Sequence, residues 1–101
     1  MTAGTVQLAE SGLLTLAGTL DYRSGPELRK QGGALIASSK ASALVLDCTA
    51  VTQSSSVGLS LLLAFMRDAK AAGKSCEVRG MPHGMQEIAE VYGLDDILAL
   101  P

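Results

Sequence analysis

Three consecutive hydroxyls, Ser54, Ser55 and Ser56, stand where a short apolar run hands over to a longer one. Serines in that place have three uses. A side-chain oxygen accepts from backbone N–H groups as a helix cap, the helix N-terminus attracts an anion, or an exposed hydroxyl accepts a phosphoryl group. His83 is the only histidine, and a histidine beside a serine raises a fourth use, nucleophilic catalysis in which imidazole takes the hydroxyl proton. The surrounding sequence gives that reading little: no G-x-S-x-G elbow frames any of the serines. A single histidine without a ligand cluster cannot close a metal site. Cys48 and Cys76 match no ligand spacing either, and they read as buried free thiols of a cytosolic chain. The glycines spell neither a Walker A loop nor G-x-G-x-x-G. No metal, nucleotide or other cofactor is therefore expected, and Met66, Met81 and Met85 read as core or interface filler.

The 101 residues give room for one domain, 1–101, around one core. With 48% hydrophobic and 18% charged residues the chain has the composition of a globule, and its net charge of -2 offers no basic surface for a phosphate backbone. Nucleic acid binding is thus not expected. The longest nearly uncharged apolar stretch, Val57 to Met66, is too short to span a bilayer. No basic segment followed by an apolar one opens the chain, so a secretory signal is not expected.

The elements that must position the serines follow from periodicity. Val6 to Leu8 and Leu13 to Ala17, separated by Glu10-Ser11-Gly12, read as an opening antiparallel hairpin. Gly18 to Gly25 reads as a loop, and Pro26 opens a helix of about three turns carrying Leu28, Gly32, Leu35 and Ile36. Ala43 to Cys48 is apolar on both faces, as a central strand should be. A second helix runs from about Ser56 to Ala72, stopped by Gly73. Its stripe of Leu59, Leu62, Leu63, Met66 and Ala69 would face the sheet, leaving Leu61 and Phe65 to the side and more apolar surface than one sheet needs. Ser75 to Arg79 reads as a strand parallel to the previous one, so the serine turn and Gly80 to Gly84 should share one rim. From Pro82, the residues Met85, Ile88, Ala89 and Tyr92 keep helical spacing up to a Gly93-Leu94 cap. Asp95 and Asp96 would open a last short turn with Ile97, Leu98 and Leu100.

This order, the Gly18-Thr19-Leu20-Asp21 turn, the Ser-Ser-x-Gly-Leu stretch at Ser55 to Leu59 and the closing Ala89 to Leu94 segment resemble a STAS domain over nearly the whole chain. Within that family, Leu61-Leu62-Leu63, Ala69-Lys70, Gly73, Gly80, Ala89 and Tyr92-Gly93-Leu94 are similar to the MlaB branch. The resemblance implies an α/β, SpoIIAA-like fold: a mixed sheet with its later strands parallel and about four helices packed against it. It also implies a non-catalytic cytoplasmic subunit, held at the inner membrane by binding the MlaF-like ATPase of a phospholipid ABC transporter in complex with its permease. Such a transporter maintains outer-membrane lipid asymmetry, and the subunit itself does not insert into the membrane. The expected partner surface is the rim of Thr52 to Ser60 and Gly80 to Met85, with Thr52, Ser54, Ser55, Ser56, Val57, Leu61, Met81 and His83 as contacts.

Ser56 matches the hydroxyl residue that is phosphorylated in the sister branch, the anti-sigma factor antagonists, which supply the alternative function. Two departures stand beside it. Ser55 occupies the place of an acidic residue, and Val57 that of a small one. The expectation is an unphosphorylated Ser56. A small serine hydrolase is the reading from a different class.

Overall fold

The computed structural model describes residues 3–94 and 96–98. Alternating apolar and polar residues form β1 (Thr5–Leu8) and β2 (Leu13–Leu20), which pair antiparallel with Val6 opposite Leu16. Pro26 sits in the first turn of α1 (Gly25–Ser38), where its missing N–H removes no helical bond. That helix carries the chain to β3 (Ala43–Ser54), parallel to β2. Helix α2 (Ser56–Ala71) then leads to β4 (Ser75–Arg79), parallel to β3, and α3 (His83–Val91) follows. The strands lie side by side in chain order, β1-β2-β3-β4. Val6, Leu14, Leu16, Leu44, Leu46 and Cys48 are buried on one face, while Thr5, Gln7, Glu77 and Arg79 on the other are exposed. All the helices therefore cover a single face of the sheet.

Two central strands run further than side-chain pattern shows. β2 continues past Ala17 to Leu20, and β3 continues past Cys48 to Ser54. The register shifts between Thr15 and Ala17 and again between Gly18 and Thr19. Such irregularities break the period-two alternation while backbone pairing carries on through them. Helix α1 is likewise longer, at 14 residues.

Helix α2 lies in the middle of its layer, touching α1 on one side and α3 on the other. Its buried arc is accordingly wider than a sheet-facing stripe and is rotated toward α1. Leu61 and Phe65, expected at the side, are buried, whereas Leu63 and Met66 are only half-buried. The surplus apolar surface read from the sequence is thus taken up largely inside the fold. Gly32 of α1 makes this possible, because a Cβ there would overlap the Phe65 ring. Arg29 of α1 closes the same contact with a two-pronged bridge to Asp68, at 2.7 and 3.2 Å.

Both later helices end in the way their glycines announce. At the end of α2, Lys74 N–H donates to Ala69 O at 2.9 Å and Gly73 N–H to Lys70 O at 3.0 Å, with Gly73 at φ 72°. Leu94, Gly93, Ala89 and Glu90 repeat the arrangement after α3. Each closure satisfies carbonyls that the helix leaves open, and only glycine enters the left-handed region without strain. Among the described residues there are three helices, not about four. Residues 96–98 form a turn, with Leu98 N–H on Leu94 O at 2.9 Å and its side chain buried. Asp95 and Leu100 of the expected last element lie outside the described residues. Both cysteines are free, Cys48 buried and Cys76 half-buried. Cys76 lies opposite Leu44, four residues from Cys48 along β3, so the two thiols do not face each other.

Candidate functional site: the serine turn and its flanks

The site begins where two parallel strands end together. Leu20 pairs with Ser54, and Ser55 N–H donates to Leu20 O at 3.0 Å, pinning the turn to the end of β2. Ser55, in extended backbone, is the cap of α2: its Oγ accepts from Val57 N–H at 3.2 Å. Ser54 turns its hydroxyl the other way and donates to Ser55 O at 2.8 Å. Ser56 is then the first helical residue. It is exposed, and among the described residues its hydroxyl has no hydrogen-bond partner, while its carbonyl accepts from Ser60 Oγ at 3.3 Å.

Gly58 explains the glycine of the motif. A Cβ at that position would collide with Ser54 Oγ and press on Met85 Cε and Leu20 Cδ1, at 3.2 and 3.3 Å. The serine turn can fold back against α3 only where the helix has no side chain. Leu59, next in the motif, is buried in the core.

Thr52 and Ser54 share a cleft of about 250 Å³ with Pro82, Gly84 and Met85, so the serine turn and the start of α3 do lie side by side. Thr52, Ser55, Ser56 and His83 are exposed, and Ser54 and Val57 are half-buried, Val57 lying against Gly25. Leu61 and Met81 are not surface residues. They are 4% and 6% exposed and belong to the hydrophobic core. Their burial leaves almost no side-chain surface for a partner. His83 is displaced from the serine chemistry as well. Its Nε2 lies 2.7 Å from Glu87 Oε1, one turn along its own helix, and the ring is 85% exposed. No hydrogen bond joins it to Ser54, Ser55 or Ser56 among the described residues.

A second depression opens on the other side of Ser56. About 380 Å³ in volume, it is lined by Ser56, Leu59, Ser60, Leu63, Tyr92 and Leu94. In the sequence Tyr92 reads only as part of a helical spacing and Leu94 only as part of a helix cap with Gly93, and the surface they make with α2 exists only once α3 is docked. Leu63 was misplaced by a stripe drawn for a helix facing one sheet. The β2–α1 loop forms a further shoulder, where Arg23 grips Asp21 at 2.8 Å and lies over the exposed Tyr22 ring. The Arg23 hydrogen bond holds the Asp21 carboxyl below its usual range. Among the described residues no group of three acidic, histidine or cysteine side chains could hold a metal ion, and no helix is long and apolar enough to cross a membrane.

A four-stranded mixed sheet covered on one face by helices, with a capped serine turn leading into its central helix, defines a STAS-like domain. The family model described as "Mlab, STAS domain" matches residues 4–100, and the chain belongs to this MlaB-like STAS family. Among solved structures, an anti-sigma factor antagonist from Mycobacterium paratuberculosis is similar, with 27% identity, a TM-score of 0.71 and coverage of 97% of this chain and 83% of that one. The anti-sigma factor antagonist SpoIIAA in its unphosphorylated form shares the fold at 16% identity and a TM-score of 0.65, covering 87% and 82%. The phosphorylated form of the Bacillus cell fate determinant SpoIIAA does so at 18% and 0.66, covering 93% and 86%.

Proposed function

We propose that the protein is a non-catalytic assembly or regulatory subunit that binds the ATPase of an Mla-type phospholipid ABC transporter. In this role it works in the cytoplasm at the inner membrane and supports outer-membrane lipid asymmetry. The observation that carries the reading is the exposed serine turn. Ser55 serves the fold as a cap, whereas Ser56 presents an uncharged hydroxyl that no described side chain hydrogen-bonds, on a surface flanked by apolar side chains. A surface of that kind recognises another protein and performs no chemistry. Membership of the MlaB-like STAS family is what supports this choice of partner. The test is co-expression with the Mla-type ATPase and permease of the same organism. The expected outcome is a stable complex on gel filtration and no ATP hydrolysis by this chain alone. Folded proteins that elute separately at micromolar concentration would sink the reading.

The anti-sigma factor antagonists in the same fold favour a second reading through one observation, the accessible Ser56 hydroxyl at the start of α2. A phosphate there would lie at the positive end of the helix dipole and be tolerated by the domain. Ser55 in the place of an acid argues for an unmodified chain. Intact-mass spectrometry of protein isolated from cells decides: most molecules should carry no phosphate, and a phosphate on Ser56 in most of them would install the antagonist reading.

A further inference from the structure

We infer that β4 is a docking edge for a second copy of this chain, the two β4 strands pairing antiparallel about a two-fold axis at Val78. β4 is the last strand of the sheet, so one of its sides has no neighbouring strand. Which backbone groups face that side follows from the ladder. Ser75 N–H donates to Ser42 O at 3.0 Å, and the parallel register then runs unbroken from Ser75 to Arg79. In a parallel ladder alternate residues turn both backbone groups to the neighbouring strand. Ser75, Glu77 and Arg79 therefore bond β3, while the N–H and C=O of Cys76 and Val78 point outward. Among the described residues no bond from outside the sheet reaches them. An edge of this kind is where another strand adds.

Charge picks the second copy and its register. Glu77 and Arg79 are exposed on the sheet face that no helix covers, and they bridge each other along the strand at 3.1 Å. An exposed bridge of that sort adds little to the fold. Charges on an edge ordinarily turn a second strand away. Here both signs alternate along the ladder, so the outcome depends on register. Centring the two-fold on Glu77 or on Arg79 sets a like charge against its copy. Centring it on Cys76 sets Glu77 against Ser75 and carries Arg79 past the end of the other strand. Centring it on Val78 sets Glu77 opposite Arg79 of the second copy and Arg79 opposite Glu77, and it joins the outward N–H and C=O of the two Val78 residues. Opposite charges directly across a ladder attract, and like charges repel. On the helix-covered face the same register brings Val78 against Val78. That side chain is half-buried and packed against the core, and the second copy would shield its open side. Two-fold symmetry makes each contact occur twice. The serine turn lies at the end of β3 and is not part of this edge, so the inference does not rest on the ATPase reading.

The experiment is sedimentation equilibrium of the purified, folded chain at low salt, from about 10 μM to about 1 mM. Apparent mass should rise with concentration from 10.4 kDa toward twice that value. Glu77→Arg and Arg79→Glu each set like charges face to face in both halves of the interface, and each should weaken association about tenfold or more. Both side chains are more than half exposed, so the variants should fold, which circular dichroism checks. Mixing the E77R chain with the R79E chain should restore the dimer, because every position then meets the opposite sign. A parent chain that stays at 10.4 kDa throughout overturns the inference. A dimer indifferent to both single variants, or one that mixing does not restore, overturns it as well by placing the contact elsewhere.

Discussion

Ser55 and Ser56 are neighbours with separate duties, and substitution should separate them. Ser55→Ala removes the oxygen that accepts from Val57 N–H, and it should lower unfolding stability by about 1 kcal/mol in a denaturant melt. Ser56→Ala removes a hydroxyl with no partner among the described residues and should change stability by no more than ~0.5 kcal/mol. Ser56→Glu is the informative variant. A carboxylate in the first turn of α2 faces the positive end of the helix, worth about 0.3 to 1 kcal/mol, so the fold should be unharmed. The same charge would lie beside Leu59 and Leu63, and if the proposed partner covers that face it would be stripped of water on binding at a cost of roughly 2 kcal/mol. Titration should show affinity for the ATPase falling at least about tenfold. Unchanged affinity would place the interface away from the serine turn.

Between elements, two adjacent glycines of α1 give opposite expectations. Glycine inside a helix ordinarily costs about 1 kcal/mol relative to alanine. At Gly33 a Cβ would approach the far ends of Arg29 and Asp68, at 2.8 and 3.3 Å, and these flexible side chains can give way. Gly33→Ala should therefore leave thermal stability unchanged or raise it. At Gly32 the obstacle is the Phe65 ring, fully buried between α1 and α2. Gly32→Ala should force the helices apart and cost about 1 to 3 kcal/mol, the usual price of overpacking a core. Equal melting temperatures for the two variants would show that the α1–α2 contact is looser than described.

What the sequence discloses at this scale depends on whether a signal is local. Gly73, Gly93, Pro26 and the serines act on their immediate backbone, and each marked its turn, helix start or helix end. The strand ends at Leu20 and Ser54 were hidden, because the register shifts near Ala17 and Gly18 erase alternation without ending the pairing. Leu61 was read as lying to the side of the buried stripe for a related reason. A helix read alone has one buried face, and only the docking of α1 and α3 on either side of α2 reveals that it has three. The groove at Tyr92 was illegible on the same ground, since its two walls are joined by tertiary packing alone.

Among the described residues the strongest titration signature is that of Cys48. Burial pushes its thiol up to about 12, from an ordinary value of 9.0. The unfolded chain loses that proton above pH 9 and the folded one holds it. The unfolded state is thus favoured as pH rises from 9 toward 12, and the stability contributed by the protonated thiol is complete only below pH 9. Unfolding free energy should fall by up to about 1.4 kcal/mol per pH unit in that window. Cys48→Ala should flatten this part of the curve relative to the parent, whatever its own stability at pH 7. Parallel curves for the two proteins would mean that water or a cation reaches the thiolate.

The strands lie in space in the order in which they are synthesised. A ribosome therefore delivers each strand to an edge that is already waiting, first β2 to β1, then β3 to β2, then β4 to β3. No segment has to be threaded between two others, and no early strand waits for a late neighbour except across a single helix. The serine turn is pinned to Leu20, so it takes shape as soon as β3 lands, before β4 and α3 have left the exit tunnel. The depression behind it closes only when Tyr92 and Leu94 have packed against α2. A nascent chain would thus form the serine turn early and the depression beside it late.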